Sequence, residues 1–296
     1  MTRAVVISNP FASRAAEGTL ARAVAALRQG GLTVDVAPTL QAGHGAELAR
    51  AALDDGARMI VAHGGDGTIM DIARTLVGTG VPLGILPAGT GNRLADNLGI
   101  RWSSAVAIIL AGHARGVDVG RLETSTRSHL FAVAAGCGFD ADAMHHTSPR
   151  NKRIFGSLAY TLTAFGLAMN IKRAKVRVET DATVWEGHAV SVLLANSGEI
   201  VPTGHPFAHH IKLDDGVIDV IILDARSFPG AARVAVRLGT GRSADVRGIT
   251  FLRARRVTVT AEPALRVQAD GEACGLSPFT AEVLPGALTV LAPPAP

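Results

Sequence analysis

Short apolar runs and helical apolar stripes alternate along the first 116 residues of the chain. The runs predict buried strands, and apolar residues spaced three and four apart predict helices between them. The predicted strands are 4–8, 32–37, 59–62 and 83–86, and the predicted helices are 15–29, 46–53, 69–76, 93–98 and 102–111. This alternation predicts a parallel sheet with helices on its faces.

From Val117 onward the pattern changes to the alternation of apolar and polar positions that is typical of strands. The predicted strands are 117–120, 130–134, 174–180, 190–195, 218–223, 257–261 and 281–284. Strands without regular intervening helices predict an antiparallel arrangement. The fold class is therefore α/β, with an N-terminal parallel-sheet domain over 1–116 and a β-rich, mainly antiparallel C-terminal domain over 117–296.

One predicted helix interrupts the later strands. Residues 154–171 carry no charge and place apolar residues on one helical face. The length reaches that of a membrane span, but polar residues such as Ser157 and Asn170 argue against one. Basic residues flank the segment: Arg150, Lys152 and Arg153 before it, and Lys172, Arg173, Lys175 and Arg177 after it. The segment is therefore either a core helix or an element that gives access to lipid on an anionic membrane surface.

Composition narrows the classes of function. The 296 residues are 48% hydrophobic and 18% charged, with a net charge of +4. This mild basic excess fits an anionic surface or a polyanionic ligand. We expect no nucleic-acid partner, because the arginine-rich stretch 233–256 has too few aromatic residues. Two distant cysteines and the absence of a signal-peptide pattern predict a cytoplasmic protein.

A glycine-rich turn joins the third predicted strand to a helix. It reads His63-Gly64-Gly65-Asp66-Gly67-Thr68. Glycines allow a ligand to approach the backbone, and the following helix N-terminus favours an anion, so the turn suits a phosphate. The Asp66 carboxylate would repel a bare phosphate. It therefore requires an intervening divalent cation, or it positions a hydroxyl group.

Three more loops follow predicted strands in the same way. Asn9, Thr39 and the second glycine-rich turn 87–92 each come directly after a strand. Because ligands of parallel sheets bind beyond the carboxyl ends of the strands, these loops predict one pocket. Neither glycine-rich turn has the sequence of a Walker A or dinucleotide-binding motif. The residues alone thus indicate a phosphate-binding α/β domain.

Several motifs together resemble the diacylglycerol kinase catalytic domain family, which includes bacterial soluble lipid kinases and, more distantly, sphingosine kinases. The motifs occur in the family's order and extend over nearly the whole chain. They are Gly64–Thr68, Pro87–Asn92, Ala135–Ala141, Asn196 followed by Leu213–Val220, and Gln268–Glu272 followed by Pro278-Phe279. The first motif is shared with NAD kinases, and the second favours the lipid kinases.

Two positions depart from the family's usual pattern. Met70-Asp71 stands where many members have Asn-Glu. Arg93 stands where many members have Asp, so it places a cation where a carboxylate would help to hold magnesium. These departures keep a non-catalytic nucleotide- or lipid-binding regulator open as an alternative.

The resemblance implies a cleft between the two domains in which ATP and Mg²⁺ bind. The nucleotide-binding residues it implies are Asn9, Thr39, Gly64, Gly65, Asp66, Gly67, Thr68, Ile69, Met70, Gly89, Thr90 and Asn92. The catalytic residues are Glu272 as the general base, Asp270 beside it, and Asp66 at the metal-bound phosphates. On the residues alone, a plain β-turn at Asp270-Gly271 is favoured over a catalytic role.

A structural magnesium ion is a further implication of the resemblance. Its ligands are the Asp215 carboxylate and the backbone carbonyls of Lys212 and Val217, which are hard oxygen donors. The bare sequence Asp214-Asp215-Gly216 also fits a hairpin turn.

The implied activity is ATP-dependent phosphorylation of the primary hydroxyl of a lipid alcohol, with diacylglycerol as the leading substrate. A sphingoid base, a phosphatidylglycerol-like lipid and NAD are the alternative acceptors. The implied partners are a membrane lipid and the anionic inner face of the membrane, where the protein would bind peripherally. A homodimer is compatible with the sequence.

Overall fold

The computed structural model describes residues 2–12, 18–138, 173–198, 211–224 and 248–294. The chain forms two compact units. The first comprises Met1–Val119 and Pro285–Pro296, and the second comprises Gly120–Leu284.

A parallel sheet forms the centre of the first unit. Its strands include β1 (Arg3–Ser8), β2 (Thr33–Pro38), β3 (Met59–Gly64) and β4 (Leu83–Pro87), in the order β2-β1-β3-β4. The helices are α1 (Thr19–Gln29), α2 (His44–Asp54), α3 (Asp66–Leu76), α4 (Arg93–Asn97) and α5 (Trp102–Ala111). Neighbouring strands in this order pair in parallel. The predicted alternation of strands and helices in this half is confirmed.

Burial explains why these segments adopt their structures. Every residue of β3 and β4 is buried, as expected for inner strands covered on both faces. Helix α3 buries Ile69, Ile72 and Leu76, which recur at helical spacing. Each such side chain contributes about 1.5–3 kcal/mol when it leaves water.

The register of the sheet brings the strand ends together. Ser8 at the end of β1 lies opposite Pro38 of β2 and His63 of β3. Gly64 at the end of β3 lies opposite Pro87 of β4. The loops that follow these four strands therefore leave the sheet at its carboxyl edge, where sheets of this class bind ligands.

Two antiparallel sheets build the second unit. The remaining strands of the chain, of which β5 begins and β16 ends in the first unit, are β5 (Ala114–Thr124), β6 (Ser128–Phe131), β7 (Ala134–Gly138), β8 (Ala174–Thr180), β9 (Val184–Ala189), β10 (Ser191–Ala195), β11 (Ile218–Leu223), β12 (Ile249–Ala254), β13 (Arg256–Glu262), β14 (Arg266–Ala269), β15 (Glu272–Leu276) and β16 (Phe279–Leu291). One sheet has the order β12-β11-β10-β7-β14-β15. In the other, β13 pairs with β8 and with the first part of β16, and β8 pairs with β9. The predicted antiparallel, β-rich character is confirmed.

The two sheets of the second unit bury a common apolar core. Val176, Val178 and Val257 of one sheet and Val192 and Val220 of the other belong to a single buried cluster. Alternate residues of β8 are buried and exposed. The alternation of apolar and polar residues in the sequence therefore indicates which face of this strand packs against the core.

Strand β16 leaves the second unit and ends in the first. Val290 pairs in parallel with Leu83 of β4, and the Ala287 carbonyl accepts a hydrogen bond from the Gly78 N–H at 2.8 Å. The predicted boundary at 116 lies close to Val119, but 285–296 belong to the first unit and not to the C-terminal domain. The alternating pattern of a strand does not reveal which sheet it joins.

Some predicted strands need correction. Residues 130–134 do not form one strand, because β6 ends at Phe131 and β7 begins at Ala134. Strands β9 and β12 were not predicted; most of their side chains are half-buried or exposed, so they lack a clear apolar signal. The predicted helix over 154–171 lies outside the described residues. Among the described helices, none is long and apolar enough to cross a membrane.

Candidate active site

The first glycine-rich turn presents the start of helix α3 at the sheet edge. Gly65 is the residue before the helix, and no side chain caps the helix N-terminus. The first backbone N–H groups of α3 are thus available to an anion, which the helix dipole also favours. A Cβ atom placed on Gly67 would meet nothing within 4 Å. The first turn of α3 therefore faces open space that a ligand can enter.

Asp66 joins the first turn to the second. Its Oδ2 accepts a hydrogen bond from the Asn92 N–H at 3.0 Å, and its Oδ1 accepts one from the Arg93 N–H at 2.6 Å. Bonds from backbone amides to an ionised carboxylate are among the stronger hydrogen bonds in proteins. The carboxylate that the sequence left unexplained thus holds the two turns together. Its predicted role at metal-bound phosphates stays a prediction.

Asn92 closes the second turn on itself. Its backbone is left-handed, with a φ of 54°. Its Oδ1 accepts a hydrogen bond from the Gly89 N–H, and its Nδ2 donates one to the Gly89 carbonyl, both at 2.9 Å. The side chain therefore shapes the loop, whereas Thr90 beside it is exposed.

The glycines allow the two turns to pack closely. A Cβ on Gly89 would lie 2.5 Å from the Gly65 Cα, and a Cβ on Gly91 would overlap Asp66 Oδ2. The Gly64 carbonyl also accepts a hydrogen bond from the Ala88 N–H at 2.8 Å. From the sequence, these glycines are expected to let a ligand approach the backbone. At Gly65 and Gly89 the structure gives them a second role, the contact between loops.

Asn9 and Thr39 lie at the same edge. The Asn9 Nδ2 donates a hydrogen bond to Thr68 Oγ1 at 3.1 Å, so the loop after β1 contacts the first turn. The Thr39 N–H donates to the Ser8 carbonyl at 2.7 Å, and Thr39 is buried. The side chains of Ile69 and Met70 are also buried. Ile69 and Met70, which are predicted to bind the nucleotide, can therefore contact a ligand only through their backbone atoms.

His63 is a feature of this edge that the sequence analysis did not assign. Its Nδ1 shares a hydrogen bond with Ser8 Oγ at 2.8 Å, and its ring centroid lies 5.7 Å from that of Trp102. The Nε2 atom is buried without a hydrogen-bond partner in the described part of the chain. Burial lowers the pKa of His63 from the ordinary value of 6.5. This shift favours the neutral ring, which joins the ends of β3 and β1 through its hydrogen bond to Ser8.

The predicted catalytic carboxylates lie on a hairpin of the second unit. Asp270 and Gly271 connect β14 to β15 with φ values of 47° and 89°, as in a type I′ turn. The Gly271 N–H donates a hydrogen bond to Gln268 Oε1 at 3.0 Å. Glu272 follows the turn as the first residue of β15, and it is exposed. An exposed carboxylate next to a rigid turn is accessible to a substrate hydroxyl.

Asp270 holds the corner between β6 and β7. Its Oδ2 accepts a hydrogen bond from the Ala132 N–H at 2.8 Å, and its Oδ1 accepts bonds from Val133 and Ala134 at 3.0 Å. The Asn196 Nδ2 donates to the Ala132 carbonyl at 2.9 Å. These bonds explain why the predicted strand 130–134 is interrupted. The catalytic role predicted for Asp270 stays a prediction.

The predicted metal site lies on the turn before β11. Asp215 Oδ1 accepts a hydrogen bond from the Val217 N–H at 3.3 Å, and Oδ2 forms an ion pair with Arg253. One carboxylate and two carbonyls suit a hard cation chemically, but Asp215 already has a cationic partner. Within the described ranges, no three His, Cys, Asp or Glu side chains form a group that could hold a metal. The set of Lys212, Asp215 and Val217 stays a prediction.

Two of the flanking basic residues are ion-paired. Arg173 pairs with Asp224, and Arg177 pairs with Glu179 and Glu186. Arg150, Lys152 and Arg153 lie outside the described residues, as do Phe139, Asp140 and Ala141 of the third motif.

Comparisons with known proteins agree with this architecture. Residues 3–122 match the diacylglycerol kinase catalytic domain, and residues 133–292 match the YegS C-terminal NAD kinase beta sandwich-like domain. The "Probable lipid kinase YegS-like" of Pseudomonas aeruginosa is 34% identical over 278 residues, which cover 92% of this chain and 88% of that protein. The chain belongs to the diacylglycerol kinase family of lipid kinases.

Two further proteins are similar over nearly the whole chain. A "Diacylglycerol kinase" of Bacillus subtilis is 28% identical over 284 residues, which cover 94% of this chain and 92% of that one. A solved structure from Bacillus anthracis str. Sterne has a TM-score of 0.84 at 24% identity, and the match covers 99% of this chain and 95% of the other. The latter likeness confirms the predicted fold, and the family makes the chain a kinase of the lipid-kinase class.

Proposed function

We propose that the chain uses ATP to phosphorylate the primary hydroxyl of diacylglycerol, which yields phosphatidic acid. The observation that carries the proposal is the pair of interlocked glycine-rich turns at the carboxyl edge of a parallel sheet in a member of a lipid kinase family. Phosphoryl transfer depends mainly on positioning and on the neutralisation of charge. The two interlocked turns supply the positioning, because they hold an open site for a phosphate group.

The first unit binds the triphosphate in this proposal. The uncapped N-terminus of α3 donates N–H groups to phosphate oxygens, and Gly67 leaves the approach open. Asn9 supports the loop through Thr68. Bound Mg²⁺ would neutralise phosphate charge, and the oxygens of Asp215, Lys212 and Val217 are the candidates for a separate structural ion.

The second unit supplies the base. Glu272 accepts the proton of the lipid hydroxyl group while the oxygen of that hydroxyl group bonds to the γ-phosphorus of ATP. The bond between that phosphorus and the β–γ bridging oxygen breaks, and ADP leaves with the bridging oxygen. The exposed position of Glu272 directly after a rigid turn supports this role.

Diacylglycerol is the leading acceptor because the Bacillus subtilis relative carries that name. The Pseudomonas aeruginosa relative is named for a lipid kinase without a stated lipid. A sphingoid base and a phosphatidylglycerol-like lipid therefore belong in the same assay. NAD is included because the second domain is described as NAD kinase-like.

The test is phosphate transfer from radiolabelled ATP to each of these four acceptors, with and without Mg²⁺. We expect labelled phosphatidic acid from the wild-type chain and none from Glu272→Gln. Glu262→Gln, at an exposed position on β13, is the matched control and should retain activity. Transfer to another acceptor would overturn the choice of diacylglycerol, and transfer by Glu272→Gln would overturn the assignment of the base.

We also propose that the protein binds the anionic face of the membrane peripherally. The support is the net charge of +4 and the basic residues Arg150, Lys152 and Arg153. Each basic residue near such a surface contributes about 1 kcal/mol. Replacing all three with alanine should reduce sedimentation with phosphatidylglycerol vesicles, and unchanged sedimentation would contradict the proposal.

A further inference from the structure

Arg93 is placed at the junction of the two glycine-rich turns. It begins α4, and its backbone N–H donates the 2.6 Å hydrogen bond to Asp66 Oδ1. The residue is half-buried, and its Nε is fully buried without a hydrogen-bond partner. Within the part of the chain that the structure describes, the Arg93 guanidinium makes no hydrogen bond or ion pair.

A second half-buried arginine, Arg121, has a carboxylate partner, because it pairs with Glu282. A guanidinium that loses water without gaining an acceptor is unfavourable, because it keeps its charge at any ordinary pH. The position of Arg93 is therefore explained best by an anion that is supplied from outside the protein.

We propose that Arg93 binds a phosphate group of the nucleotide. The proposal rests on the proposed function. Arg93 belongs to the loop that Asp66 ties to the first turn, and that turn offers its backbone N–H groups to open space. The positive charge of the Arg93 guanidinium would counteract the repulsion between the Asp66 carboxylate and a bound phosphate. Its planar fork also matches two phosphate oxygens.

Binding measured without lipid isolates this role from catalysis. Isothermal titration with ATP and with inorganic tripolyphosphate compares the wild-type chain, Arg93→Leu and Arg93→Lys. We expect Arg93→Leu to weaken both ligands by about ten-fold or more, as expected for the loss of a charge-assisted bond. Arg93→Lys should bind with intermediate strength, since it keeps the charge and loses the fork. Arg58→Leu, an exposed position in the same unit, is the control and should bind normally.

Thermal melting separates ligand binding from a structural role. Arg93→Leu removes an unpartnered charge, so its melting temperature should equal or exceed that of the wild-type chain. A lower melting temperature together with unchanged ATP affinity would overturn the inference.

The remaining outcomes distinguish the two proposals. If the wild-type chain binds ATP and Arg93→Leu binds it equally well, the inference fails and the proposed function stands. If the wild-type chain binds neither ATP nor tripolyphosphate, the proposed function fails and the inference fails with it. If Arg93→Leu binds phosphatidylglycerol vesicles more weakly but binds ATP and tripolyphosphate normally, the phosphate belongs to a lipid headgroup. That result would overturn the nucleotide assignment.

Discussion

The Oδ1 atom of Asp66 lies 2.6 Å from the backbone nitrogen of Arg93, and this hydrogen bond connects two turns that are separated in sequence by helix α3 and strand β4. The second oxygen of Asp66 holds Asn92 in the same way. The carboxylate thereby acts as the cap that the start of α4 otherwise lacks. The negative charge of this glycine-rich turn therefore has a structural reason before any metal or substrate is considered.

Replacing Asp66 with asparagine should loosen this connection. The variant keeps the size of the side chain but has one acceptor oxygen and no charge. We expect the free energy of unfolding to fall by about 1–3 kcal/mol, measured by urea denaturation. Asp35→Asn, which affects an exposed ion pair with Arg3, should cost less than about 1 kcal/mol. Equal stability of the Asp66 variant and wild type would contradict the role in joining the loops.

Alanine at two glycines should separate loop packing from ligand access. In Gly89→Ala the new Cβ would lie 2.5 Å from the Gly65 Cα, so the loops must move apart. We expect it to lower the free energy of unfolding by about 1–3 kcal/mol, as overpacking does, and to weaken ATP binding.

Gly67→Ala is the matched substitution, since its Cβ would enter open space. It should preserve or raise stability, because alanine favours the helix by about 1 kcal/mol over glycine. It should still weaken ATP binding if phosphates approach that position. Unfolding and ATP titrations on both variants check this pair, and normal ATP affinity in Gly67→Ala would argue against the proposed phosphate position.

Asp270 and Glu272 should behave differently although only one residue separates them. The Asp270 carboxylate already accepts three backbone N–H groups, whereas Glu272 is exposed. Asn tolerates the left-handed backbone at position 270, so Asp270→Asn removes charge and acceptors with little backbone strain. We expect a loss of about 1–3 kcal/mol in the free energy of unfolding. The remaining activity should still decrease at low pH as it does in the wild-type chain, because the proposed base Glu272 is unchanged.

Glu272→Gln should give the reverse pattern, with normal melting and no turnover. Asp181→Asn is the control for Asp270, because Asp181 accepts a single backbone N–H, from Arg255, on the surface. An Asp270→Asn enzyme with normal stability and a missing acidic limb would identify Asp270 as the base.

Burial of His63 should make stability depend on pH. The pKa of the folded His63 is lowered from 6.5, so below about pH 6.5 the unfolded chain binds a proton that the folded chain does not. The free energy of unfolding should fall as the pH decreases from 6.5 toward the lowered pKa. Urea denaturation between about pH 8 and pH 5.5 measures this contribution.

His63→Asn should flatten that dependence and His113→Asn, at an exposed position, should leave it unchanged. Identical pH dependence in wild type and His63→Asn would show that other groups control the acid sensitivity.

Local patterns predicted much of the first unit, because strand and helix periodicity report directly on burial. The predicted helix 102–111 agrees with α5, and 59–62 with the start of β3. The sequence also predicted that Asn9, Thr39 and the two glycine-rich turns lie at one edge of the sheet, because parallel strands present their carboxyl ends at the same edge.

The contacts within the site could not be predicted in the same way. The bonds from Asp66 to Arg93 and from Asp270 to Val133 join residues far apart in sequence. A single sequence contains no signal for such pairs. An aspartate that caps a distant loop and an aspartate that contacts a substrate cannot be distinguished by residue type. A catalytic role is therefore predicted from the sequence for both Asp66 and Asp270, although the structure also shows each of them bonded to backbone N–H groups.

The return of β16 to the first unit affects how the protein can be made. Leu288, Val290 and Leu291 are buried there, and the Gly286 N–H bonds to Asp118 Oδ1 at 2.8 Å. A ribosome that has finished residues 1–119 has not yet produced these partners. The parallel sheet of the first unit therefore completes its folding only after the whole second unit has been translated, so the two halves of this kinase mature together.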